Sequence, residues 1–304
     1  ALQIFSSVTK TPTDQNYDFN GADGDNITPL VILQLQPTHT WTSLLERSLW
    51  HGDRLDRASA ASEEQLVTIG SLEDFNALLK SRNADGARPV GAMLSVEGLH
   101  NLEGKAENLD RLYDAGFRMA SLTHFFDNKL AGSMHGEAKG GLTEFGRDIV
   151  ERMEAKGMIV DIAHLSHTGV AEVLELAKRP VVSSHGGVQA TCNVNRNLTD
   201  EEIVGVAETG GIIGVGYWEG AVCDTSPASV VKAMAHIRDL VGIDHVALGS
   251  DYDGAVTVRF DTSGLVQITQ ALMKADFTEA EIRAIMGGNA KRVLGAGIER
   301  AAAS

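Results

Sequence analysis

The feature that most limits how this 304-residue chain can fold is a repeated phrase: a short apolar run that stops at a residue able to bind a metal ion. SVEG stops at Glu97, VDIAH at His164, VVSSH at His185 and VALGSDYDG at Asp251. Apolar runs of that length read as strands buried on both faces, as in a parallel sheet. Ligand-type residues at the C-terminal ends of several such strands are how a (β/α)8 barrel assembles a catalytic metal site. The expected fold class is therefore α/β, a (β/α)8 TIM barrel, formed by residues 1–304 as a single hydrolase domain.

Seven strands are expected: Leu2–Val8, Val90–Val96, Arg118–Thr123, Met158–Ala163, Val181–Ser184, Ile212–Tyr217 and His245–Ser250. Amphipathic stretches separate them, including Trp41–Ala60, Asn108–Ala115, Thr143–Lys156, Thr199–Glu208, Ala228–Val241 and Thr278–Met286. Thr199-x-x-Glu202 and Thr278-x-x-Glu281 have the spacing of capping boxes. Asp114-Ala115-Gly116 and Lys156-Gly157 read as helix stops. EAKGMIVDIAH, AETGGIIGVGY and VGIDHVALGSD each run helix, turn, strand, the order of right-handed βαβ units. Seven strands leave an eight-stranded barrel one short, and the economical place for the missing strand is before Ala1. No G-x-G-x-x-G follows a strand, which disfavours an open dinucleotide-binding sheet. Residues 11–40, polar and rich in Gly and Asp, read as an ordered insertion after the first visible strand.

A net charge of −15 argues against a nucleic-acid partner, which needs a basic surface, and against an anionic membrane surface. No apolar stretch reaches the length of a membrane span, and no signal peptide opens the chain. Cys192 and Cys223 form no C-x-x-C pair, and the simplest expectation is two buried thiols.

Two imidazoles and a carboxylate (His164, His185, Glu97) form a donor set that suits zinc. Glu97 has two oxygens and can bridge two ions. Asp161, three residues before His164, is a partner for a ligand or a plain strand-end residue. Asp251 and Asp253 share a strand face, so one suits a general base and the other a turn. His124 can donate to a developing oxyanion. Arg196 presents a fork for a carboxylate. Tyr217 and Trp218 end a strand and can wall a pocket. His51-x-Asp53 lies in a helix pattern, where i and i+2 do not share a face.

SVEG, SLTHFFDN, DIAHLSH, SSHGG with CNVNRN behind it, and GSDYDG occur in an order that resembles the membrane (renal) dipeptidases, zinc peptidases of the amidohydrolase-like TIM-barrel group. The resemblance runs from about Val90 to the C-terminus. It implies hydrolysis of dipeptides, including some with a C-terminal D-residue, at a two-zinc site. Glu97 would be the bridging carboxylate and His164 and His185 the ligands of the second zinc. His124 would stabilise the tetrahedral intermediate, Arg196 would bind the substrate carboxylate, and Asp251 would accept a proton from water. The family's His-x-Asp pair on the first barrel strand, which ligates the first zinc, has no counterpart here; LQIFSSV resembles the family's second strand. The expectation is a half-built site holding at most one tight zinc. An amidohydrolase acting on a lactone or cyclic amide, and a non-catalytic barrel, are the alternatives. A homodimer is one expected state, and the compartment, cytoplasmic or exported, stays open.

Overall fold

The computed structural model describes residues 2–83 and 89–299, which form two compact units. The first takes in the described residues up to Val160, then His164–Gly169 and those from Gly297 onward; the second comprises Asp161–Ala163 and Val170–Ala296.

The first unit contains β1 (Leu2–Ser7), α1 (Ile27–Leu33), α2 (Leu44–Ala60), β2 (Leu66–Thr68), α3 (Leu72–Asn83), β3 (Val90–Glu97), α4 (Glu107–Asp114), β4 (Phe117–Ser121) and α5 (Glu144–Lys156). β3 is its centre. Residues Gly91 to Val96 of this strand are buried, as expected of a strand covered on both faces. β1 lies along one side of β3 in parallel, from Leu2 opposite Gly91 to Ser7 opposite Val96. The other side is shared: β2 pairs with Val90 to Ala92, and β4 with Leu94 to Glu97 across a register shift at Leu94/Ser95. Among the described residues β1 pairs with β3 alone. Leu45, Met93, Leu99, Leu109, Leu112, Phe117 and Ile149 make up much of the buried apolar set.

β5 (Ile159–Asp161) carries the chain from one unit to the next. The second unit continues with α6 (His167–Leu176) from Val170 onward, β6 (Val182–Gly186), α7 (Asp200–Glu208), β7 (Ile212–Val215), α8 (Glu219–Val222), α9 (Pro227–Val241), β8 (Val246–Leu248), α10 (Val266–Lys274), α11 (Glu279–Arg283) and α12 (Asn289–Ile298) as far as Ala296. Its strands are again parallel: Asp161 opposes Val182, Val182 opposes Ile212, and Ile213 opposes Val246. Helices alternate with the strands throughout, which gives the α/β architecture of the TIM-barrel class.

Both predicted capping boxes are present, with Thr199 and Glu202 satisfying each other's backbone N–H groups at the start of α7, and Thr278 and Glu281 doing so at α11. All seven predicted strands form. Four stop two residues earlier than expected, at Ser121, Asp161, Val215 and Leu248. The apolar pattern persists past these points while the backbone leaves the ladder, and two of the residues just beyond, His164 (φ 65°) and Asp251 (φ 54°), sit in the left-handed region. Four elements escaped the sequence reading, one of them α8, a single turn of four residues. β2 is three residues long and half-buried, too short for a period. α1 lies in the polar 11–40 segment. α12 carries Gly295 and Gly297, which weaken a helix signal.

Candidate active site

In the first unit, Glu97 is the last residue of β3, and the next residue shows why SVEG must end in glycine. Gly98 has φ 91°, and a Cβ there would come within 2.5 Å of His100 Nδ1 and 3.1 Å of His124 Cβ. Its N–H donates to Ser121 Oγ at 3.0 Å, which fixes the turn that aims Glu97. Glu97 Oε1 lies 2.8 Å from His164 Nε2 and 3.8 Å from His124 Nε2. One donor atom from each of Glu97, His124 and His164 falls within 4.8 Å of the others. Two imidazoles and a carboxylate that close together are the donor chemistry of a zinc site. His164 adopts its left-handed backbone although it has a bulky side chain, a cost of the kind that collects at functional sites.

What surrounds these donors is aromatic. Phe125 stacks on His135 with centroids 4.4 Å apart and planes 15° apart, and both rings lean on His164, at 5.4 and 5.2 Å. Phe125 also meets His124 edge-on. His135 is tied in turn to the 11–40 segment: its Nδ1 lies 2.6 Å from Tyr17 O, and Asn20 donates to its carbonyl through both backbone and side chain. Ser133 Oγ–H donates to His124 O. His135 was not singled out from sequence, because its loop, SMHG, carries no strand-end signal.

In the second unit, His185 stands in β6. Its Nδ1 lies 2.8 Å from Ser184 Oγ, and its Nε2 lies 3.9 Å from Asp251 Oδ1. Burial pushes the Asp161 carboxyl above its ordinary pKa, while His185, the Ser184 hydroxyl and the N–H groups of Ala163 and Ser184 pull the other way. Arg196 is only 3% exposed. Its Nη2 donates to His185 O at 2.9 Å, and its guanidinium lies 5.7 Å from the Trp218 ring centre. Asn197 Nδ2 donates both to Cys192 O and to Ala221 O, bridging the loops after β6 and β7. Gly187 lets those loops touch, since a Cβ there would sit 1.8 Å from Ala221 O. The two cysteines are not free thiols, contrary to expectation: Cys192 and Cys223, 31 residues apart, form a disulfide across the same two loops. Sequence spacing could not show that the two loop ends meet.

Tyr217 is fully buried against Tyr252 and Phe260, and its hydroxyl has no hydrogen-bond partner among the described residues. Burial, then Tyr252, pushes that hydroxyl's pKa up. Asp253 Oδ1 accepts from Ala255 N–H at 2.7 Å, a turn role. His51 lies inside α2 with Nδ1 2.8 Å from Ser7 Oγ, a packed structural histidine. His100 is also buried, with Nε2 3.1 Å from Thr9 Oγ1 and its pKa depressed to about 3 by desolvation, then His124.

Parallel strands ending in a carboxylate-and-imidazole donor set define an α/β-barrel metallohydrolase class. The model of the membrane dipeptidase family, peptidase family M19, matches residues 20–304, and the chain belongs to that family. Dipeptidase aclJ of Aspergillus oryzae is 35% identical over 216 residues, 68% of this chain and 51% of the relative, so the chain spans about half the length of this curated relative. The probable dipeptidase PvdM from Pseudomonas aeruginosa superposes with a TM-score of 0.77 at 21% identity, over 85% of this chain and 80% of its own. A metallo peptidase from Rhodobacter sphaeroides, liganded with a phosphinate mimic of the dipeptide L-Ala-D-Ala, superposes with a TM-score of 0.76 at 23% identity, over 84% and 75%. These two likenesses establish the fold. Among the described residues no helix is long and apolar enough to cross a membrane.

Proposed function

We propose that the chain is a zinc-dependent dipeptidase. The observation that carries this reading is the Glu97, His124 and His164 donor cluster, in a chain of the membrane dipeptidase family. The roles follow residue by residue. Glu97 and His164 of this cluster would hold zinc, and the family resemblance gives His185, in the second unit, a ligand role as well. A bound zinc supplies the Lewis acidity that activates water at neutral pH. Asp251 takes the proton released as water attacks the peptide carbonyl. His124 Nε2 donates to the oxygen on which negative charge develops. Arg196, desolvated and braced, grips the free C-terminal carboxylate through its fork. Trp218, beside the Arg196 guanidinium, would wall the substrate, and the fully buried Tyr217 would support that wall from within. The mimic carried by the Rhodobacter sphaeroides relative supports a substrate class of short dipeptides, including those with a D-residue at the C-terminal position.

The test is hydrolysis of a dipeptide panel by the full chain, with zinc per chain read by elemental analysis before and after chelation. Expected are zinc bound to the chain, turnover that chelation abolishes and zinc restores, and loss of at least ~10³-fold in rate for Glu97→Gln, in line with removal of a group that acts with others as a unit. Turnover that survives chelation, or an unchanged Glu97→Gln rate, overturns the reading.

A further inference from the structure

The second unit contains an ordered line of three polar groups, Asp161, Ser184 and His185. Asp161 is 4% exposed, and its carboxylate accepts three hydrogen bonds. Oδ1 accepts the N–H of Ala163 and the N–H of Ser184, each at 3.0 Å, and Oδ2 accepts the Ser184 hydroxyl at 2.5 Å. A serine has one proton to give. With that proton committed to Asp161, Ser184 Oγ can only accept from His185 Nδ1, 2.8 Å away. The imidazole therefore carries its proton on Nδ1, and Nε2 keeps a lone pair facing Asp251 Oδ1.

We infer that Asp161 and Ser184 are positioning residues that lock His185 in the tautomer able to bind a cation through Nε2. The inference rests on the reading of His185 as a zinc ligand, and it adds two residues to which that reading gave no role. A carboxylate behind a ligating histidine fixes its tautomer and ring orientation. Here a hydroxyl stands between the two, so the polarity of the whole line depends on which end accepts. Asn at position 161 keeps the shape and can still accept both N–H groups through Oδ1, but its Nδ2 can only donate to Ser184. The serine must then donate to His185 Nδ1, which moves the imidazole proton to Nε2 and closes the ligand position.

Three variants of the full chain test this: Asp161→Asn, Ser184→Ala and Ser184→Thr. Two readouts apply, the His185 tautomer from long-range proton–nitrogen NMR correlation in histidine-labelled protein, and zinc affinity from competition with a chromophoric chelator. Expected are an Nδ1–H tautomer in the parent, an Nε2–H tautomer in Asp161→Asn, and zinc affinity about 10–100-fold weaker in Asp161→Asn and Ser184→Ala. Ser184→Thr, which keeps the hydroxyl, restores both signals. An unchanged tautomer in a folded Asp161→Asn chain overturns the inference. The ligand reading fails separately: if His185→Ala leaves zinc affinity intact, His185 is no ligand, while the tautomer result still decides the relay.

Discussion

The donors of the two units are held by different forces. In the first, His124 and His164 sit among rings: Phe125 and His135 stack on each other and lean on His164. In the second, His185 is held by the Ser184 hydroxyl, which the Asp161 carboxylate holds in turn, and Arg196 by a hydrogen bond to His185 O in a loop region that carries a covalent staple. Ring packing holds a side chain through broad stacked or edge-on contacts, which constrain direction less sharply than a hydrogen bond does. Hydrogen bonds and a disulfide fix orientation, which suits a guanidinium that must meet a planar carboxylate. The difference teaches that the candidate donors of each unit are braced in their own way, and that reagents can separate the two kinds of bracing.

After the loss expected for Glu97→Gln, the next largest effect lies in the second unit. Arg196→Ala should lower kcat/KM for free dipeptides by about 10²–10³-fold, the loss expected when one partner of a buried charge-assisted pair is removed. Amidated dipeptides should be hydrolysed poorly by both forms; if Arg196→Ala discriminates against free dipeptides no more than against their amides, the clamp is elsewhere. Next comes the staple. Reduction, or Cys192→Ala with Cys223→Ala, removes a cross-link spanning 31 residues, worth about 3–4 kcal/mol by chain entropy. The melting temperature should fall and KM rise several-fold, while zinc affinity at Glu97 and His164 holds. A reductant that strips zinc as readily as it raises KM would erase the contrast between the two units.

A smaller effect tests the first unit by pH. His100 is neutral when folded, with a pKa near 3, and ionises near 6.5 when unfolded. The unfolded chain thus binds the extra proton below about pH 6.5, so His100 costs stability progressively as pH falls from there toward 3 and contributes no slope above it. Urea unfolding at pH 5 and 7 should show a stability drop that is reduced in His100→Gln; an identical pH slope would show that His100 ionises freely in the fold. The smallest effect is Phe125→Leu, which removes the stack on His135 at about 1 kcal/mol. Zinc affinity should weaken only a few-fold, far less than for Ser184→Ala; a larger loss would mean that the ring cage, like the relay, fixes orientation.

Much of this was legible in the sequence because buried parallel strands are written as apolar runs, and each run stops where the backbone must carry a polar side chain. Glu97, His164, His185 and Asp251 were visible for that reason, and Arg196 through its place behind SSHGG. The capping boxes at Thr199 and Thr278 were visible because their partners lie three residues apart. His135 was not, since its contacts with Phe125, His164 and Tyr17 link loops far apart in the chain and leave no local period.

By itself, then, the sequence determined seven of the strands, most of the longer helices, the residue types that stand just at or beyond the strand ends, and the α/β class, all properties of residue type and short spacing. The tertiary structure alone decided three things. It joined Cys192 to Cys223, it set Asn197 between two loops, and it gave Asp161 its place behind Ser184 and His185. Each depends on which strands pair, as β5 and β6 do for Asp161 and Ser184, and on which loop ends the packed strands bring together. That distance is fixed by burial of the strands between them, not by any residue in the loops.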